Sequence, residues 1–82
     1  MLSGPDRVKK LRWKCRRGMK ELDVLLEAFM ARHTESLAAG DWPQLEGLLR
    51  QEDDVLFDWI SGRNLPSEPD LRELINRIIH AL

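Results

Sequence analysis

Apolar residues recur along this chain at helical spacing almost from end to end. Val8, Leu11 and Cys15 follow at i, i+3 and i+7, predicting a first helix from an Asp6 N-cap to about Arg17. Gly18 stands where a glycine just past a helix end would stop it. Met19, Leu22, Leu25, Leu26, Phe29, Met30, His33 and Leu37 form a longer stripe. They predict a second helix over about 19–38, closed by Ala38-Ala39-Gly40. Asp41-Trp42-Pro43-Gln44 opens a third, with Asp41 as N-cap, Gln44 as its reciprocal partner, and Leu45, Leu48 and Leu49 as the apolar face. Asp53-Asp54 places negative charge at the start of a fourth helix, where the helix dipole favours it. That helix carries Val55, Leu56, Trp59 and Ile60, with Phe57 on another face, and ends at Ser61-Gly62. After the loop Asn64-Leu65-Pro66, Ser67 caps a fifth helix with Asp70 in its first turn. Leu71, Leu74, Ile75, Ile78, Ile79 and Leu82 make its stripe. No period-2 run predicts a strand. The expectation is an all-α fold, a compact bundle of five short helices in a single domain over residues 1–82, with 1–5 as a short tail.

Size narrows the function classes. A chain of 82 residues buries only about 60% of the surface its unfolded form exposes. It holds a small core, but not also the enclosed cavity of roughly 300–1,000 Å³ that small ligands usually occupy. There is one cysteine, Cys15, so no intramolecular disulfide is possible and a reducing compartment is expected. No apolar run approaches the roughly 20 residues of a membrane span, and no secretory signal is visible. The net charge of -1 conceals an asymmetry. Residues 1–20 carry eight basic side chains against Asp6 alone, and residues 21–82 carry five against thirteen acidic ones. The basic segment either presents a docking surface to something anionic or pairs with the acidic body; the sequence leaves both open.

Catalytic chemistry is missing. His33 and His80 have no partner at ligand spacing, so no metal site is expected, and His33 reads as a histidine at the edge of the core. Cys15 lacks a CxxC partner. Lys14 and Arg16 could depress its pKa, but its register with Val8 and Leu11 favours packing. The glycines are isolated, and no nucleophile–base pair is suggested. Of the tryptophans, Trp59 reads as core, Trp42 as a staple beside Pro43, and Trp13 as an exposed aromatic inside the basic stretch.

The run Cys15-Arg16-Arg17-Gly18-Met19-Lys20-Glu21 is locally unfavourable. Two arginines repel, and a glycine inside a helix costs about 1 kcal/mol relative to alanine. Local expense without a packing return marks a place to look for function. If one helix ends at Arg17 and the next starts at Met19, Gly18 is a hinge, free to take a positive φ and to let another backbone come close. Arg17 would aim its planar five-donor fork at an external carboxylate or phosphate. Glu21 would sit at the third position of the next helix. The plainer reading is that Gly18 is only a junction and Glu21 only a cap.

Arg17-Gly18-Met19-Lys20-Glu21 resembles the RGxxE motif of the small FAD assembly factors of succinate dehydrogenase, the SdhE-type proteins of bacteria and the assembly factor 2 proteins of mitochondria. Trp13-Lys14-Cys15-Arg16-Arg17-Gly18 with Glu21-Leu22-Asp23 is similar to that family's first block. Leu48-Leu49, Asp53-Asp54 and Leu56-Phe57-Asp58-Trp59 are similar to its second. The resemblance covers roughly residues 8–80. It implies a protein that is not an enzyme and holds no cofactor stably. Such a protein binds the flavoprotein subunit of succinate dehydrogenase, often also that of fumarate reductase, and promotes covalent attachment of FAD to it. It implies contact through Arg17, Gly18 and Glu21 with Arg16 beside them, and through Asp54 and Phe57 of the second block, Trp59 being left to packing. The mitochondrial members carry an N-terminal extension, and this chain begins shortly before its first helix. The expectation is therefore a monomer of the bacterial cytoplasm, with no nucleic-acid partner and no membrane insertion. Two rival readings are a small nucleic-acid-binding helical protein, suggested by the basic segment with Trp13, and the antitoxin of a toxin–antitoxin pair.

Overall fold

Residues 4–81, which the computed structural model describes, form six helices among them: α1 (Gly4–Lys14), α2 (Lys20–Arg32), α3 (Thr34–Ala38), α4 (Leu45–Leu48), α5 (Asp53–Ser61) and α6 (Pro69–Ile79). The all-α expectation holds, and the count rises from five to six because the stretch 19–38 is not one helix. It breaks at His33, whose φ of -120° and ψ of 23° leave the helical region. Thr34 supplies the cause. Its hydroxyl donates to the Met30 carbonyl at 2.7 Å, a back-bond that competes with the helix ladder and bends it.

The helical stripes face inward largely as their spacing requires. Leu11, Leu22, Leu26, Phe29, Leu37, Leu45, Leu48, Leu56, Leu74 and Ile78 are fully buried. Trp59 and Ile60 pack against this core half-buried, and Ile79 turns out to be exposed. Leu82 lies outside the described residues. α2 is the hub, packing on α1, α3, α5 and α6; α6 packs also on α4 and α5, and α1 lies mainly against α3. The molecule measures 34 × 26 × 22 Å, so its thinnest direction holds two layers of helices about 10 Å across. Anything it binds meets its surface.

Helix ends depart from the sequence reading in several places. α1 begins at Gly4, so Asp6 lies in its first turn rather than at its cap, and Gly4 and Pro5 of the expected tail are helical. Residues 1–3 lie outside the described residues. α1 stops at Lys14, three residues earlier than expected. Asp41 caps nothing: α4 begins at Leu45 after Gln44, and Trp42 before it holds a φ of 57°. Ser67 is likewise displaced, since Glu68 precedes α6, with Pro69 in its first turn. The end of α5 is as expected. Gly62 takes the left-handed φ of 83°, and Arg63 N–H reaches back to the Asp58 carbonyl at 2.9 Å. No helix among the described residues is long and apolar enough to cross a membrane.

Candidate functional site

Two arginines of the basic segment turn inward and organise the molecule. Arg7 lies at positions 7, 8, 11 and 15 of one helical face, with Val8, Leu11 and Cys15, and is buried with them. Its fork holds the Glu46 carboxylate at both oxygens, Nε to Oε2 at 3.0 Å and Nη2 to Oε1 at 3.1 Å. It also donates to the carbonyls of Leu37, of Asp41 at 2.8 Å and of Trp42 at 3.0 Å. The left-handed Trp42 backbone is the local consequence. A bulky residue there is strained, and the strain is offset by the Arg7 bond and by its ring. That ring meets Phe29 and His33 edge-on at 5.9 and 6.2 Å, and Arg77 sits over it at 5.9 Å. The Arg7 hydrogen bonds hold the Glu46 carboxyl below its usual range, against the opposing effect of burial.

Arg17 does the same for the motif. The sequence reading aimed its fork outward; in the structure the side chain is only 11% exposed and points in. Nη1 donates to the Gln51 carbonyl and to Asp53 Oδ1, both at 2.9 Å, and Nη2 donates to the Leu49 carbonyl. Nε is buried without an acceptor, so the terminal nitrogens carry the whole attachment. The backbone of Arg17 is fixed too: its N–H donates to Asp23 Oδ1 at 2.7 Å. Asp23, in the first turn of α2, therefore fastens the corner, at a helix end that favours its negative charge. Glu21 does not take the capping role. It is the second residue of α2 and exposed, and the cap position, Met19, has no side-chain cap bond.

Gly18 differs from the hinge expected of it. Its φ is not positive, unlike those of Gly4, Gly40 and Gly62. A Cβ built on it would meet nothing within 4 Å. The fold therefore makes no demand for glycine here. Arg16, Gly18 and Glu21 are all exposed. The Arg17–Asp53 contact brings the start of α5 against this linker, and with it exposed Asp54, whose carboxylate accepts from Val55 N–H at 2.9 Å. Phe57, half-buried, stands one turn further along α5. Of the six residues singled out from sequence, the structure places Arg16, Gly18, Glu21 and Asp54 on the surface around a buried Arg17. Arg7, Asp23 and Asp53 were missed as organisers. For Arg7 a signal existed, because its spacing puts it on the apolar face.

Cys15 packs as its register predicts. Burial pushes its thiol up to about 11 from an ordinary 9.0, outweighing the lowering effects of Arg17 and Arg12. The neighbouring cations therefore do not activate it, in keeping with the packing role that its register favours. The folded state holds this proton more tightly, so its contribution to stability is full below about pH 9 and lost as pH rises through about 11. At pH 8 the folded chain should react with Ellman's reagent about a hundredfold more slowly than the chain in denaturant, the loss of thiolate alone requiring this. Equal rates would place the thiol at the surface. Among the described residues, no three His, Cys, Asp or Glu side chains gather as metal ligands would.

The profile of the Sdh5 family, described as "Flavinator of succinate dehydrogenase", matches residues 9–81. The chain belongs to this family. It is 40% identical over 77 residues to a protein of Coxiella burnetii named FAD assembly factor SdhE, covering 94% of each chain. A protein of the same name from Pseudomonas aeruginosa is 40% identical over 72 residues, 88% of this chain and 86% of its own. One from Legionella pneumophila is 39% identical over 69 residues, 84% of this chain and 86% of its own. No solved structure matches the chain significantly. The flavinator family is one of assembly factors rather than catalysts, and it favours the assembly reading over a nucleic-acid-binding module.

Proposed function

We propose that this protein binds the flavoprotein subunit of succinate dehydrogenase and promotes covalent attachment of FAD to it through the corner formed by Arg16, Gly18 and Glu21. Asp54 and Phe57 lie at the edge of the contact. Arg17 takes no part in touching the partner and instead fixes the shape of the surface that does. The observation carrying this reading is Gly18. The fold does not require a glycine at that position, and on the exposed corner its bare backbone lets a partner's backbone or flavin pocket come close. Glu21 and Arg16 set charges of opposite sign beside the bare backbone, which gives a partner both a point of approach and an orientation.

The flavin bond forms by the flavoprotein's own chemistry, and this chain acts by holding the client in a competent arrangement. FAD is the client's cargo here. The flavoprotein of fumarate reductase is a second client on the same reasoning, and the protein works as a monomer in the bacterial cytoplasm.

The experiment is covalent flavin on the succinate dehydrogenase flavoprotein, read as in-gel fluorescence after denaturation. Deleting the gene should remove the fluorescent band, and the wild-type gene should restore it. Gly18→Arg and Glu21→Ala should each restore no more than about a tenth of it, the loss expected of a central contact residue. Both proteins should fold, since the Gly18 side chain would project into open space and Glu21 is exposed. An undiminished band in the deletion strain would remove the reading.

A further inference from the structure

The outer face of α1 serves neither the core nor the two inward arginines. The ion pairs among the described residues are Arg7–Glu46, Arg17–Asp53 and Arg63–Asp58, which leaves Lys9, Lys10, Arg12 and Arg16 without one. Between these cations Trp13 is 73% exposed, more than any other large apolar side chain described. This face borders an open groove of about 1110 Å³. Asp23 and Glu27 of α2 line it from the other side and Asp6 lies beside it, while Cys15 and Met30, both buried, border it from within. Four unpaired cations beside an unburied indole contribute nothing evident to the fold, and large exposed aromatics beside positive charge are typical of binding surfaces.

We propose that this groove is a second docking surface, which takes an acidic segment of the flavoprotein client. An apolar side chain of that segment packs on the Trp13 indole, and its carboxylates pair with Lys9, Lys10 and Arg16. The inference rests on the function proposed above and extends the contact beyond the motif corner. Charge and shape select this occupant. A nucleic-acid backbone, with a negative charge every 1.7 Å or so of duplex, would set phosphates against Asp6, Asp23 and Glu27 as well, whereas a protein segment can place its carboxylates opposite the cations alone. A bilayer is flat and meets Trp13 without entering the groove. A protein segment can offer acidic and apolar side chains side by side. Arg16 lines the groove and flanks Gly18, so a partner seated on the corner extends naturally into the groove.

The test is calorimetric titration of the full chain into purified flavoprotein subunit lacking covalent flavin, at low and high salt. Trp13→Ala should raise Kd about tenfold or more, as loss of an aromatic anchor does. The double variant Lys9→Glu/Lys10→Glu should raise it comparably and flatten the salt dependence. Leu65→Ala, at an exposed apolar residue in the α5–α6 loop, should bind as wild type. Thermal melts of the variants should match wild type, because the replaced side chains are exposed. Wild type and variants binding alike would remove the groove and leave the corner standing. A wild-type chain that does not bind would remove the proposed function and the groove with it. Trp13-dependent binding to anionic-lipid vesicles or random-sequence duplex DNA, with flavoprotein binding unchanged by Trp13→Ala, would give the groove to another class of partner and overturn the proposal.

Discussion

Arg7→Ala should leave a chain that is largely unfolded at 37 °C. The substitution strips the Glu46 carboxylate of both its hydrogen bonds and the Leu37, Asp41 and Trp42 carbonyls of theirs. The Glu46 carboxylate is partly exposed and can turn to water, but the Leu37 carbonyl is buried, and each buried acceptor left without a donor costs about 1–3 kcal/mol. A natural domain this small has roughly 5 kcal/mol or little more in total. Circular dichroism and urea unfolding measure it, and a midpoint close to wild type would show that the clamp is dispensable. The double variant Arg7→Met/Glu46→Leu should recover part of the loss, by replacing the pair with packed apolar groups. Recovery should stay incomplete, because three carbonyls still lack a donor. Acid should act in the same direction. Glu46 titrates below its ordinary 4.5, so the stability linked to it is present above pH 4.5 and lost as pH falls through the depressed value. Glu46→Gln should flatten that acid limb.

Arg17→Ala should be the next most damaging change, at about 2–4 kcal/mol, because two partly buried carbonyls and Asp53 lose their donors together. For a domain of this length that is a fall in Tm on the order of 10–20 °C. The functional effect should exceed what the loss of folded protein explains. With the α4–α5 loop released, Gly18 and Asp54 are no longer held together, so flavinylation should fall even at temperatures where the variant is fully folded. Arg17→Lys tests the geometry. A point charge cannot reproduce the planar fork that reaches three acceptors from two nitrogens. Lysine should therefore recover less than half of the lost stability. Full recovery by lysine would mean that charge alone holds the loop.

These two clamps also mark where the sequence stopped being informative. The leucine and isoleucine stripes of α2, α5 and α6 were legible because helical periodicity is a local property with a direct packing consequence. The Gly62 stop was legible for the same reason. The misplaced boundaries lie where a distant group intervenes. Asp41 and Gln44 look like a capping pair until Arg7, more than thirty residues away, takes the Asp41 and Trp42 carbonyls and turns the backbone. The break at His33 is set by one threonine hydroxyl, which propensity scarcely weighs. The site was half legible. The local cost of Arg16-Arg17-Gly18 pointed to this corner as the candidate, but it did not give the direction of the Arg17 side chain. That direction depends on carbonyls at 49 and 51, which carry no side-chain signature. The structure also supplies a physical reason for the two sequence blocks to occur together, since Arg17 of the first is bonded to the loop and the Asp53 of the second.

The clamps impose an order on the making of the protein. Of the six helices α1 leaves the ribosome first, yet the acceptors of its buried arginine lie 30 to 39 residues further on. Those of Arg17 lie 32 to 36 residues on. Until about residue 53 has emerged, both guanidiniums are solvated and α1 is a bare cationic helix. α6, which packs on α2, α4 and α5, is the last of the six helices to arrive. The chain therefore cannot consolidate stepwise from its N-terminus; it closes late and as a unit. A nascent or truncated product would expose a strongly basic, partly apolar helix to whatever acidic surface is nearest, and only the finished molecule confines that charge to one face.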